Sequence, residues 1–260
     1  MALLLIFTQQ VYSQEFNSPY KLSWGVDGPT FATGLIVAVA AEAINGNPKT
    51  LSFSEINVLN KKDVNAFDRI AVGNFSTKES KASDVLVGAT IVSPLLLFVD
   101  ESVRKDWETI STMYLETVLF STFTPSLGKG SVKRIRPYVY SPRAPLSDKQ
   151  DLEAPQSFFS GHTTWAFATG VLTASIYNDY FPESKYRTHV WIASLAVASS
   201  VALLRVTSGA HYPTDVLVGA AIGTGIGYII PYLHRNISSP VSVNPIISPQ
   251  HKGISFSLRF

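Results

Sequence analysis

The sequence predicts an all-α protein: a bundle of six helices, expected to span a membrane, followed by a short strand-like tail. Three observations carry this expectation. The chain is 46% hydrophobic with a mean hydropathy of +0.17. Charged residues make up only 15% of it, against the ~25% usual for soluble domains. Finally, six apolar stretches rich in Ala, Leu, Val, Ile and Gly recur at residues 30–45, 84–99, 109–127, 163–178, 189–204 and 216–233.

A soluble bundle of six buried helices competes with this reading. A helix crossing a bilayer needs ~20 apolar residues, and only the sixth stretch, Val216 to His234, clearly reaches that length without a formal charge. The first stretch holds Glu42 and the third Glu116, both costly in lipid unless turned inward.

Before the first stretch, Met1 to Phe7 is apolar and polar residues follow through Ser13-Gln14. Residues 1–14 are a candidate signal peptide, although the basic n-region is missing. One domain is expected over residues 15–235, with 236–260 as a tail; 260 residues suit a single full-sized core.

Between the first two stretches the chain turns polar. Ser54-Glu55 and Asp63 read as helix starts there, and Phe67, Ile70 and Ala71 as a buried stripe. Residues 128–160 form a long loop with Pro137, Pro142, Pro145 and Pro155, and loops of that length are usually functional. After Arg235 the chain is rich in Ser, Pro and Asn. It ends with Ile254, Phe256, Leu258 and Phe260 alternating with polar residues, the period of a strand.

Net charge is +2, from 21 basic and 19 acidic side chains, so no general attraction to nucleic acid is implied. Without cysteine, disulfides, thiolate catalysis and Cys-based metal sites are excluded.

Three polar clusters sit at the ends of apolar stretches. The first is Lys129, six residues, then Arg136-Pro137; the second is Ser160-Gly161-His162; the third is Arg205, five residues, His211, three residues, Asp215. If the stretches cross a membrane, the clusters follow the third and fifth of them and emerge on one side. Pro137 restricts Arg136 to extended backbone, and its guanidinium can offer paired donors to phosphate oxygens. Lys129 would act as a compact charge. Taken alone, the basic run Lys129, Lys133, Arg134 and Arg136 could be no more than a solvated or membrane-flanking loop.

Gly161 allows close backbone approach, and a helix start there presents N–H groups suited to an anion; Ser160 can also be its capping residue. His162 is placed to protonate a departing oxygen. Asp215 can accept the Nδ1–H of His211 and leave Nε2 free to attack phosphorus. A metal site is the rival, disfavoured because three cations in one pocket would repel a metal ion. Arg205 closes its stretch, where a buried charge needs a partner that a phosphate can supply.

In this order and spacing, the clusters resemble the type 2 phosphatidic acid phosphatase (PAP2) superfamily, which includes lipid phosphatases, acid phosphatases and vanadium haloperoxidases. Its pattern is Lys-x6-Arg-Pro, Pro-Ser-Gly-His and Ser-Arg-x5-His-x3-Asp. This chain departs from it at Phe159, where Pro is usual, and at Leu204, where Ser is usual. The resemblance covers about residues 80–233 and implies a PAP2-type six-helix core. It implies His211 as the nucleophile forming a phosphohistidine, Asp215 as its orienting group and His162 as the general acid. Lys129, Arg136, Arg205, Ser160 and Gly161 would hold the phosphoryl oxygens, with no metal and no cofactor. The remaining histidines, His189, His234 and His251, fit no motif.

The function expected is metal-independent hydrolysis of lipid phosphate esters, phosphatidic acid-like or polyprenyl diphosphate. A soluble periplasmic acid phosphatase, a vanadium haloperoxidase and a catalytically silent multi-span membrane protein are the alternatives. Basic residues are too evenly spread to orient the helices; the resemblance implies an active site facing the periplasm or outside.

Overall fold

The computed structural model describes residues 18–46, 49–236, 241–247 and 252–258. The candidate signal peptide therefore lies outside the described residues, as does Phe260. Helices dominate. Among the described residues six helices are long: α1 (Trp24–Asn45), α3 (Thr77–Leu96), α5 (Trp107–Val132), α7 (Gly161–Tyr180), α8 (Arg187–Thr207) and α9 (Pro213–His234). Each contains one of the six apolar stretches, or most of it. Three short helices, α2 (Phe53–Asn57), α4 (Glu101–Lys105) and α6 (Leu146–Lys149), fill connections.

At the centre is α7, packed against α3, α5, α8 and α9. Its burial is nearly all-round, with every residue from Ala168 to Ile176 inside. The tightest seam joins α7 to α9 through Gly219, Gly223 and Gly227, spaced one helical turn apart. A Cβ on any of them would press against α7 backbone, 2.7 Å from the Ser160 carbonyl oxygen at Gly219 and 2.4 Å from that of Thr164 at Gly223. Close backbone approach along this seam therefore requires glycine, and it fixes the start of α9 against the start of α7.

The outer helices are apolar on their exposed sides. Leu35, Ile36 and Val39 of α1, Val85 and Leu96 of α3, Ile192 and Leu203 of α8, and Leu217 and Ile229 of α9 all face outward. α1, α8, α9 and the segment Thr77–Val99 are long and apolar enough to cross a membrane. An apolar exterior of that extent suits lipid, and the bundle is a membrane protein. Glu116 is fully buried, as the cost of exposing a carboxylate to lipid demands. Glu42 instead is exposed, one turn from the end of α1, where a charged head can reach the interface.

The polar connection 46–83 differs from expectation. Ser52, not Ser54, caps α2, in a capping box with Glu55. Asp63 ends a short 3₁₀ turn that Asn60 caps. Phe67 and Ile70 are exposed, and beside Ala71 the buried residue is Asp68. The apolar spacing there is real, but the polar partners of Asp68 decide which face turns inward.

The long loop is also shorter than expected at its start, because α5 continues to Val132 and carries Lys129 in its last turn. Lys133 ends the helix at φ 50°, a left-handed conformation uncommon outside glycine. It turns the chain so that Arg134 and Arg136 head back over the bundle. The tail holds the expected strand, β2 (Lys252–Leu258), paired antiparallel with β1 (Val241–Ile247), which the Pro-rich stretch did not advertise.

Candidate functional site

The C-terminal turns of α5 and α8 and the first turns of α7 and α9 meet at one end of the bundle, roofed by the 133–160 loop. α7 begins where Ser160 Oγ accepts from the Thr163 N–H at 3.3 Å, a regular N-cap. The Ser160 N–H donates to the Asp215 carbonyl at 3.1 Å. Ser160 is thus a structural joint as well as a candidate ligand. Its neighbour Gly161 leaves room for a Cβ, whose nearest contact would be Pro125 at 3.7 Å. α9 begins with Pro213 at its first position, which suits a residue lacking an N–H. Asp215 at the third position reaches back to the Tyr212 N–H at 2.9 Å.

Direct contact between Asp215 and His211 is not made. The His211 Nδ1 stands 3.7 Å from Asp215 Oδ2 but 2.7 Å from the Ser157 carbonyl oxygen. The carbonyl accepts the Nδ1–H, so Nε2 carries the free lone pair, the outcome expected, reached by another group. Asp215 acts one step away. It accepts from Ser157 Oγ at 2.5 Å and from the Tyr212 N–H, holding the loops on both sides of the imidazole. The physical reason is Pro213: with the helix starting there, the third-position carboxylate is drawn to the helix end and not along the chain to His211.

Asp215 in turn is held by a residue that sequence reasoning left as loop charge. Arg134 donates to Asp215 Oδ1 at 2.6 Å, to Asp68 Oδ2 at 2.6 Å and to Thr214 Oγ1 at 2.8 Å. Its guanidinium also lies 3.9 Å from the centre of the Tyr212 ring. Asp68 completes the network by accepting from the Thr214 N–H at 2.9 Å. The Asp68 carboxyl is pulled below its usual range by these hydrogen bonds, against the burial that would raise it. The insert 46–83 therefore supports the site. Arg134 offered a faint signal in sequence, two residues before Arg136; Asp68 offered none.

Arg136 and Arg205 are in a different state. Both are buried, and both leave a buried Nε without a hydrogen-bond partner. Arg136 Nη2 meets the exposed carboxylate of Glu153 at 2.9 Å. Arg205 Nη1 meets Ser80 Oγ at 3.1 Å and Ser83 Oγ at 3.2 Å, with Asp84 at 3.7 Å. A cavity of about 390 Å³ opens here, lined by Arg136, Arg205, Glu153, Ser80, Tyr138 and Ala210. His162 Nε2 pairs with Asp84 Oδ1 at 2.9 Å. Neither histidine is on the cavity wall, and Lys129 lines a smaller neighbouring pocket with Lys49 and Glu55.

Electrostatics nonetheless join them. Burial first, then the charges of Arg136, Arg205 and Lys129, hold His211 well below the ordinary imidazole range. Glu153 is held low by Arg136 foremost, with Lys129, Arg205 and His162 adding to the effect. All the cations expected at the site act on one loop carboxylate and one imidazole.

Phe159, standing where the family pattern has Pro, is buried and packs on α5, where a Cβ on Gly128 would fall 2.7 Å from its ring. Gly128 makes room for it one residue before Lys129.

Residues 111–239 match the family model described as the PAP2 superfamily. A lipid A 1-phosphatase of Rhizobium johnstonii is 37% identical over 112 residues, 41% of each chain. A probable diacylglycerol pyrophosphate phosphatase of Schizosaccharomyces pombe is 31% identical over 40% of this chain and 38% of its own. The matches thus span about two fifths of these curated relatives. Among solved structures, a transmembrane PAP2-type phosphatidylglycerolphosphate phosphatase from Bacillus subtilis aligns at a TM-score of 0.44 and 21% identity, covering 84% of this chain and 99% of that one. Through residues 111–239, which hold Lys129, Arg136, Ser160, Gly161, His162, Arg205, His211 and Asp215 in the family's order, this chain belongs to the PAP2 superfamily.

Proposed function

We propose that the chain is a metal-independent phosphatase that hydrolyses lipid phosphate mono- or diphosphate esters through a phosphohistidine. The observation carrying this reading is the pair of buried guanidinium groups, Arg136 and Arg205, with unpartnered Nε atoms beside one cavity. Buried cationic donors without partners are costly, and an entering phosphoryl group relieves that cost.

In the proposed reaction, Arg136, Arg205 and Lys129 bind the non-bridging oxygens, with the first N–H groups of α7 at Gly161 assisting. His211 Nε2 attacks phosphorus and the bond to the lipid oxygen breaks. His162, kept near Asp84, gives that oxygen its proton. Water then attacks the phosphohistidine, His162 takes a proton from it, and phosphate leaves with His211 restored. Asp215 is a positioning residue, acting through Ser157 and Tyr212.

The apolar exterior of the bundle supports a lipid substrate, whose tails can lie along the helices while its head reaches the cavity. The two relatives act on lipids by name, which favours the same class here. Phosphatidic acid, diacylglycerol pyrophosphate, a lipid A 1-phosphate and a polyprenyl diphosphate are the substrates to compare in mixed micelles. Phosphate release from at least one of them, faster than from a short soluble ester and persisting in EDTA, is the expected result. Activity lost in EDTA and restored by magnesium would refute the metal-independent mechanism. We further propose that the site faces the periplasm or cell exterior, and that residues 15–235 form one domain.

A further inference from the structure

At the opposite end of the bundle, a second polar cluster takes no part in the chemistry above. Asp27 belongs to the first turn of α1, Glu116 to the middle of α5 and His234 to the last residue of α9. The 22 residues of α9 place it roughly 30 Å from the phosphate site at 1.5 Å rise per residue.

One ligand-capable atom from each residue lies within 4.8 Å of the others. His234 Nε2 stands 2.9 Å from Asp27 Oδ1 and 3.5 Å from Glu116 Oε2. Around a tetrahedral metal with bonds of ~2.1 Å, ligand atoms stand about 3.4 Å apart, so modest adjustment would suffice.

Supporting contacts aim the ligands. His234 Nδ1 donates to the Ile230 carbonyl at 2.8 Å, which leaves Nε2 as the coordinating nitrogen. Asp27 Oδ2 accepts from the Ser23 N–H at 2.5 Å, leaving Oδ1 for the cluster. Glu116 has no such anchor: its side chain is fully buried and neither oxygen has a hydrogen-bond partner. A carboxylate buried among helices with both oxygens orphaned is expensive, and a cation is the partner it lacks. Two carboxylates and a neutral imidazole balance a divalent charge. A cavity of about 550 Å³ touches Asp27 and reaches Thr112, one turn before Glu116, offering an entry path and room for a water as fourth ligand.

We propose that Asp27, Glu116 and His234 bind a divalent transition-metal ion of the zinc class, which fastens α1, α5 and α9 together at the end remote from the phosphate site. The nitrogen-plus-carboxylate donor set favours zinc over magnesium or calcium, which prefer all-oxygen ligands.

The test uses the full chain in detergent, stripped with EDTA, desalted, and titrated with zinc. About one zinc per chain should be retained, with a rise in Tm on loading. Cobalt in its place should give the visible absorption of a four-coordinate site. Glu116→Gln keeps the shape of a side chain that makes no hydrogen bond, so the fold should persist. Zinc affinity should fall by more than the roughly 10–100-fold that loss of a supporting partner costs, with the cobalt spectrum changed or lost. Asp27→Asn should do likewise. No zinc retained by the parent chain, or equal zinc retention and Tm response in the parent and both variants, would overturn the site and leave a proton-bridged cluster.

Discussion

Arg134 and Arg136 stand two residues apart in one loop, and the molecule treats them oppositely. Arg134 is paired on every side: two carboxylates, a hydroxyl and an aromatic face. Arg136 keeps a buried Nε without a partner, as does Arg205 across the cavity. The first state is that of a fastening and the second that of a site awaiting an anion. Burial alone does not separate structural charges from ligand-binding ones; what is left unpaired does.

His211 is where the two halves meet, held by the fastened side and kept neutral by burial and by the cations of the open one. His211→Ala should therefore have the largest effect, lowering turnover by at least about a thousandfold and abolishing the covalent intermediate. The measurement is acid-quench trapping with a labelled substrate. His162→Ala should slow esters with poor leaving groups far more than activated ones; equal losses on both would remove His162 as the general acid.

Two alanine variants should separate Arg205 from Arg134. Arg205→Ala should weaken vanadate, a mimic of the five-coordinate state, by roughly 3–5 kcal/mol, hundreds- to thousands-fold in affinity, with little change in Tm. Arg205→Lys should recover part of it. Arg134→Ala should do the reverse. It leaves Asp68 and Asp215 buried without their cation, which costs about 3 kcal/mol of stability, the lower end for a buried pair because Arg134 is 22% exposed. Vanadate affinity should then change less than Tm. An Arg134→Ala protein with unchanged Tm and lost vanadate binding would put Arg134 among the ligand groups.

Why was one half legible in the sequence and the other not? Lys129, His162, Arg205 and Asp215 stand at fixed spacing because each occupies a particular turn at a helix end, while Arg136 and His211 lie in the short connections beside those ends. The six apolar stretches fixed those helices without any side-chain detail. Asp68 reaches Asp215 across 147 residues through Arg134, and no local spacing encodes such a contact. The direct bond from Asp215 to His211 failed for a local reason: Pro213 starts the helix, and the carboxylate caps it. Glu116 and His234 could be read only as a costly charge and a spare histidine until three helices brought them to Asp27.

The pH response probes the open half. His211 is held well below the usual imidazole value of about 6.5 by burial and by Arg136, Arg205 and Lys129. Its nucleophilic neutral form should persist as pH falls through that value, and its ring signals in a labelled sample should stay unchanged from about pH 8 to about pH 6. Because the folded value is depressed, the unfolded chain binds the proton first. The stability contributed by neutral His211 is thus complete above about pH 6.5 and is lost as pH falls towards the folded value. A His211 titration near pH 6.5 would mean that the imidazole is neither buried nor surrounded by the three cations as described.

The smallest effect belongs to Glu153, the carboxylate paired with Arg136 in the open half. It sits 2.9 Å from Arg136 Nη2 with its side chain 63% exposed, and it lines the cavity where a phosphoryl group would bind. An incoming anion must compete with it for Arg136. Exposed pairs are worth only about 0.2–1 kcal/mol, so Glu153→Gln should tighten vanadate by no more than about fivefold and leave Tm nearly unchanged. The gain should shrink at high salt and vanish when Arg136 is already Ala, since the competition is for that guanidinium. Weaker vanadate binding in Glu153→Gln would mean that Glu153 orients Arg136 for the anion, and Arg136 would then count among the fastened arginines with Arg134.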